Sequence, residues 1–131
     1  MEFETARLKC RNLTLSEYDS FEMGKEPNWP ELKNPFRHLV IGPNPLSHRI
    51  PRVKKENKFA EIGLILAVEK KNNILVGSAG FHDFPNADGM IEIGFGIVPE
   101  MQGQGFGQEL LLGMWKSILK NPEVKIGRAH V

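Results

Sequence analysis

The residues best suited to chemistry lie in one stretch, Gln102-Gly103-Gln104-Gly105-Phe106-Gly107, where three glycines alternate with other residues. They stand between an apolar run, Ile93 to Val98, and a helical pattern of Leu110, Leu111, Met114, Trp115 and Ile118. A turn of this kind can aim several backbone N–H groups at one point at the positive end of a helix, which is how proteins hold phosphate. Glycine suits it because a side chain would hold the anion away. The expected ligand therefore bears phosphate; the alternative is a tight turn that serves only close helix packing. Alternate glycines weaken the element they start, and some gain must offset this.

The elements that must position this turn follow from local pattern. Arg7 to Asn12 alternates, with Leu8 and Cys10 on one side and Arg7, Lys9 and Arg11 on the other, as in a strand with one solvated face. Thr14 followed three positions later by Glu17 has capping-box spacing, so a short helix carrying Leu15, Tyr18 and Phe21 should end at Gly24. From Gly24 to Lys58, Pro27, Pro30, Pro35, Pro43, Pro45 and Pro51 argue against any long helix or central strand. That leaves a long loop with one short helix around Glu31 to Leu39. Trp29, Phe36, His38 and His48 in this loop either pin it to the core or contact substrate.

Ile62 to Val68 reads as an apolar strand, and Asn72-Asn73 suits a hairpin turn into a second strand, Ile74 to Phe84. Ile74, Val76, Ser78, Gly80 and His82 share one face of it. Pro85 to Gly89 turns the chain into a third strand, Met90 to Val98. Three antiparallel strands, the helix after the glycine turn and a further strand from Val124 describe a mixed α+β sheet.

Composition narrows the function classes. At 131 residues the chain fits one domain, and 17 basic against 16 acidic residues give a net charge of +1. No global field then argues for nucleic acid or an anionic membrane as partner. A single cysteine, Cys10, excludes an internal disulfide and a cysteine-based metal cluster, and is most simply a core residue. No metal ligand set and no Ser-His-Asp arrangement is legible. The N-terminus MEFETARLKC lacks a signal-peptide apolar block, and no apolar run reaches membrane-span length, so a cytoplasmic monomer or homodimer is expected.

Two familiar glycine motifs do not fit the turn. The nucleotide-binding P-loop ends in Gly-Lys-Ser/Thr, absent here, and the dinucleotide fingerprint has its third glycine one position later than Gly107. Both also open a parallel βαβ unit, whereas this turn follows a meander. With its flanks, the segment resembles motif A of the GNAT superfamily of acyl-CoA-dependent N-acetyltransferases, written Q/R-x-x-G-x-G/A, through Gln102, Gly105 and Gly107. Glu92, Ile93, Gly94, Phe95, Pro99, Glu100 and Gly103 resemble the longer pattern of the branch that acetylates ribosomal-protein N-termini and related amines. The opening Thr5, Arg7, Leu8, Arg11, Leu13 and Thr14 and the strand Leu75 to Phe81 are also similar to this branch.

The resemblance implies that acetyl-CoA is the cosubstrate and an amine the acceptor, either a protein N-terminus or a small molecule, with no metal. It implies that the amides of Gly103, Gln104, Gly105, Phe106 and Gly107 meet the pyrophosphate. Gln102 then supports the turn, and the pantetheine pairs along Phe95, Ile97 and Val98. A backbone N–H near Ile97 or Val98 would hold the oxyanion. Glu92 is the candidate base, or else a structural or substrate-orienting carboxylate. His82, sharing a face with Ser78, is a second base candidate, although a hydrogen-bonded or exposed histidine is the commoner case. No activated nucleophile is apparent, so direct attack in a ternary complex is expected; a non-catalytic coenzyme A sensing module is the alternative, and an interaction protein a third.

The C-terminal end carries its own expectation. Family members usually continue past the motif A helix through more elements, including the other wall of the cofactor cleft and often a thiolate-protonating tyrosine. The final IGRAHV is encoded by ATC GGA AGA GCA CAC GTC, a string matching a common sequencing adapter. Residues 1–125 are therefore expected to form a partial acetyltransferase domain and 126–131 a non-native tail. Such a fragment should turn over weakly or not at all.

Overall fold

Thr14 and Glu17 close the expected capping box. The Thr14 hydroxyl accepts from Glu17 N at 3.2 Å and the Glu17 carboxylate accepts from Thr14 N at 2.8 Å. From there α1 (Leu15–Glu22) runs until the chain turns at Gly24, φ 76°. The computed structural model describes residues 1–41 and 45–130 of the chain.

Six strands among the described residues form one sheet in sequence order: β1 (Glu2–Glu4), β2 (Leu8–Asn12), β3 (Ile65–Glu69), β4 (Ile74–Phe81), β5 (Met90–Ile97) and β6 (Ile126–His130). Each pair is antiparallel except β5 and β6, which run parallel. The mixed α+β meander and the helix after it, α4 (Phe106–Ile118), are as the sequence implies. Asn73 takes φ 56° in the β3–β4 hairpin, the left-handed conformation that asparagine tolerates. Of the hexapeptide expected as a tail, Ile126–His130 form β6, in register with Met90 to Gly94 of β5, and Val131 lies outside the described residues.

Several boundaries differ from the sequence reading. β1 precedes the first expected strand and pairs Phe3 with Cys10. No helix forms over Glu31 to Leu39; the segment passes as turns, with Lys33 bridging to Ile74 beside the hairpin. The helix lies later, as α2 (Leu46–Lys55), with Pro45 as its N-cap and Pro51 inside it. Pro51 removes one backbone donor. Leu46, Arg49 and Val53 nevertheless recur at helical spacing on a buried face, and this burial outweighs the proline. The strand expected from Ile62 starts at Ile65 because α3 (Ala60–Gly63) occupies the preceding residues. β4 stops at Phe81, where the Asp83 carboxylate accepts from Phe84 N at 2.7 Å and starts a turn.

A β-bulge alters the facing of β4. Ala67 pairs with Gly77 but Val68 pairs with Leu75, so Val76 is the additional residue. Val76 joins Ala79 and Phe81 in the core beneath α4, instead of sharing a face with Ser78 and His82 as the simple alternation had it. The sheet thus has a core on each side. One packs Phe106, Leu110, Met114 and Ile118 of α4 against Ile65, Phe81 and Ile93. The other packs Tyr18, Leu46, Val53 and Phe59 against Leu64, Leu66 and Leu75. Cys10 lies in the first, 2% exposed, its thiol pushed up to about 12 by burial, which makes it an inert core residue.

Candidate active site

The glycine turn leaves β5 through a short helical turn, Pro99–Met101, and reaches α4 with Gly103 at φ 80° and Gly105 at φ 84°. Left-handed backbone at both residues is what glycine permits at no steric cost. Gln102 is exposed and donates Nε2 to Ile97 O at 2.9 Å, tying the turn to the end of β5. The first intrahelical bond runs from Glu109 N to Gly105 O at 3.1 Å. The amides from Gly103 through Gln108 therefore have no acceptor within the chain among the described residues. Unclaimed donors at the positive end of a thirteen-residue helix are the groups with which a helix start can hold an anion.

Side chains of the turn divide into two kinds. Gln104 is exposed, whereas the Phe106 ring is 3% exposed in the core beneath α4, so only its backbone faces the anion site. The Arg7 guanidinium lies over that ring, 4.2 Å from its centroid. Arg7 also donates Nε and its amide to the Glu109 carboxylate, each at 2.8 Å, and the Thr5 hydroxyl donates to the same group. Burial raises the Glu109 pKa, but these donors outweigh it and hold the carboxyl below its usual range. This brace between the N-terminal strands and the first turn of α4 was not read from the sequence. The signal was there in Thr5, Arg7 and an acidic residue in a helix first turn.

Next to the turn, one edge of β5 is open. β6 covers Met90 to Gly94, so no described strand lies beside Phe95 to Ile97 on that side, where Gln102 Nε2 alone among the described groups takes up Ile97 O. Val98 N donates to Val76 O at 2.9 Å, within the sheet. The expectation of a free amide at Val98 is thereby corrected; alternation along the strand directs the Ile97 N–H to the open edge instead. Gly107, second residue of α4, abuts the Phe95 ring, with 3.4 Å between an ideal Cβ and Cε2.

On the sheet face away from α4 lies a cavity of about 390 Å³. Ser78 and Gly80 of β4, His82 just beyond its end, and Gly94 and Gly96 of β5 line it, with His38, the N-cap Pro45, and His48 and Arg49 of α2. Gly80 keeps its place there because an ideal Cβ would stand 2.0 Å from Gly63 O. His38 Nε2 is 2.8 Å from Ser78 Oγ, and burial lowers the His38 pKa to about 4, so its ring is neutral. Its backbone is clamped by Asn34, whose Oδ1 accepts from His38 N and whose Nδ2 donates to His38 O, both at 2.9 Å. Arg37 and Leu39 on either side adopt φ 56° and 68°, strained for residues with side chains. Of the other loop aromatics, Trp29 packs on Phe21 at 6.0 Å between centroids and donates Nε1 to Glu17, so it pins the loop to α1.

Glu92 and His82 come together across β4 and β5, Glu92 Oε2 lying 3.5 Å from His82 Nδ1. Arg128 Nη1 stands 3.7 Å from the other carboxylate oxygen. Glu92 is a third exposed and does not line the cavity; His82 does, its Nε2 over Gly94 at 3.1 Å from an ideal Cβ. The imidazole thus stands between the carboxylate and the cavity. No group of metal-binding side chains occurs among the described residues.

An antiparallel meander, a glycine turn with unclaimed amides and an open β5 edge also define what the chain is similar to. The acetyltransferase (GNAT) domain matches residues 7–130. No curated protein sequence matches. Among solved structures, a putative GNAT-family acetyltransferase from Bordetella pertussis superposes with TM-score 0.62 at 16% identity, over 98% of this chain and 77% of that one. A putative ribosomal-protein-serine acetyltransferase from Vibrio cholerae does so with TM-score 0.58 at 20% identity, over 95% and 70%. A third, the ribosomal L7/L12 alpha-N-protein acetyltransferase RimL in complex with coenzyme A, gives TM-score 0.60 at 14% identity, over 95% and 71%. These structures share the fold, and the domain match over nearly the whole chain supplies the family: the chain belongs to the GNAT acetyltransferases.

Proposed function

We propose that the chain transfers the acetyl group of acetyl-CoA to an amine by direct attack within a ternary complex. The observation that carries this reading is the run of amides from Gly103 to Gln108 without protein acceptors, set beside the uncovered edge of Phe95 to Ile97. Those amides receive the pyrophosphate, Gln102 holds the turn against β5, and the open edge pairs with the pantetheine. The acceptor enters the cavity on the opposite face. Its nitrogen forms a bond to the thioester carbonyl carbon, the Ile97 N–H stabilises the oxyanion, and the C–S bond breaks to release the coenzyme A thiolate, which takes up the proton that the new amide nitrogen sheds. His82, facing the cavity, takes the ammonium proton before attack, and Glu92 behind it holds the resulting imidazolium.

RimL, a structural neighbour, was solved in complex with coenzyme A, a ligand that bears the pyrophosphate and pantetheine this reading requires. Titration of the chain with acetyl-CoA in a calorimeter tests the reading. Saturable binding at one site, weakened by salt as a pyrophosphate contact requires, is expected. Absence of binding would remove its foundation. Binding without acetylation of any amine in a broad acceptor panel would favour a sensing module. No helix among the described residues is long and apolar enough to cross a membrane.

A further inference from the structure

Arg49 is the group in the cavity wall that acetyl transfer leaves without a task. The residue is 8% exposed, and its Nε donates to Gly63 O at 2.9 Å. No carboxylate among the described residues lies within ion-pair distance of it. A buried guanidinium is ordinarily paired, because desolvation of an isolated charge is costly. Burial lowers the Arg49 pKa accordingly, although arginine stays charged.

The surroundings deepen the imbalance. Arg49 stands at the start of α2, whose first turn contains no acidic residue, and that end of a helix dipole favours an anion over a cation. Among the described residues the cavity lining adds His38, His48 and His82 and includes neither Asp nor Glu; the Glu92 carboxylate lies behind His82. Arg49 is therefore a charged group on a wall without a described carboxylate to meet it, and the volume of about 390 Å³ suits a ligand head of one or two residues.

We infer that Arg49 binds a carboxylate carried by the acceptor, so that the substrate is an amine with an acid group close to the nucleophilic nitrogen. This rests on the acetyl-transfer reading and names its substrate class. The two Nη groups match a carboxylate in bidentate fashion, which fixes the acceptor while its nitrogen is presented beside His82. The carboxylate comes either from an acidic residue at a peptide N-terminus or from a free amino acid.

The test uses the full chain saturated with coenzyme A and compares acids with their amides. The pairs are Asp-Ala-amide against Asn-Ala-amide, Glu-Ala-amide against Gln-Ala-amide, and free alanine against alaninamide. The acid is expected to bind at least tenfold tighter than its amide in the dipeptide pairs or in the free amino acid pair, and whichever pair shows this identifies the source. Arg49→Met should abolish the preference while leaving coenzyme A affinity unchanged. Arg49→Lys, which keeps the charge without the fork, should retain part of it and keeps the test readable should the Met variant be unstable. Equal binding of acid and amide, including no binding of either, overturns the inference, as does a preference that survives in Arg49→Met. Failure of the wild-type chain to bind coenzyme A would instead count against acetyl transfer itself.

Discussion

Gly105 and Gly107 look alike in the sequence, but the structure separates them. Gly105 sits at φ 84° immediately before α4, so Gly105→Ala must hold a Cβ in left-handed backbone at a cost of about 1–2 kcal/mol. The new atom itself has room: its nearest neighbour is Arg7 Nη2, at 3.4 Å, the far end of a flexible side chain. The penalty is therefore one of backbone conformation. Gly107 has no positive φ, and a Cβ there would meet Phe95 Cε2 at 3.4 Å and Ile97 Cγ1 at 3.6 Å, ordinary packing distances. Alanine is about 1 kcal/mol better than glycine inside a helix. Gly105→Ala should thus lower unfolding free energy in urea by about 1–2 kcal/mol. It should also weaken acetyl-CoA binding in calorimetry, because relaxing the strain turns amides away from the anion. Gly107→Ala should leave affinity unchanged and be neutral or stabilising by up to about 1 kcal/mol. The reasoning is refuted if Gly105→Ala changes neither quantity, or if Gly107→Ala costs as much as Gly105→Ala.

His82→Ala should reduce the acetylation rate by about 10²–10⁴-fold with acetyl-CoA affinity intact, and Glu92→Gln should reduce it less, since the carboxylate acts through the imidazole. Rates equal to wild type in His82→Ala would remove it as the base, and a larger loss in Glu92→Gln would transfer that role to Glu92. His38 gives a pH signature in stability. Its pKa falls from 6.5 to about 4 on folding, so the unfolded chain binds the extra proton between these values and stability declines as pH drops through that window. His38→Gln should flatten that part of the stability profile, which urea titrations at several pH values will show; an unchanged slope contradicts the burial argument.

What could be read from the sequence was local. The capping box needs only Thr14 and Glu17, the hairpin only Asn73 in left-handed backbone, and the turn at Gly103 and Gly105 only glycines before an amphipathic helix. Each motif carries its own backbone geometry, and each formed. Long-range features left no such mark. The bulge that turns Val76 toward α4 arises from pairing with β3, so strict alternation along β4 misassigned its face. α2 formed in spite of Pro51 because Leu46 and Val53 meet a core built from distant strands, and propensity yields to that burial. The cavity was invisible for the same reason: His38, Arg49 and Ser78 are far apart in sequence and meet only once α2 and the preceding loop fold over β4. His38 and His48 had been singled out, but nothing in their spacing told substrate contact from pinning.

The two faces of the sheet differ in how their functional groups are held. On the coenzyme side, the strain of Gly103 and Gly105 falls on residues without a Cβ, and the first turn of α4 is secured by Thr5 and Arg7 on Glu109. That side is anchored by the fold itself. On the face proposed for the acceptor, Arg37 and Leu39 bear strain with full side chains, His38 is kept neutral by burial, and Arg49 has no carboxylate partner among the described residues. Each of these features costs stability. Strain and unpaired charge of this sort are retained where binding offsets them. A bound acceptor should therefore protect the amides around His38 and Arg49 from hydrogen exchange more than those of the rest of the chain, and substitutions at these two residues should change the choice of amine while acetyl-CoA affinity stays constant.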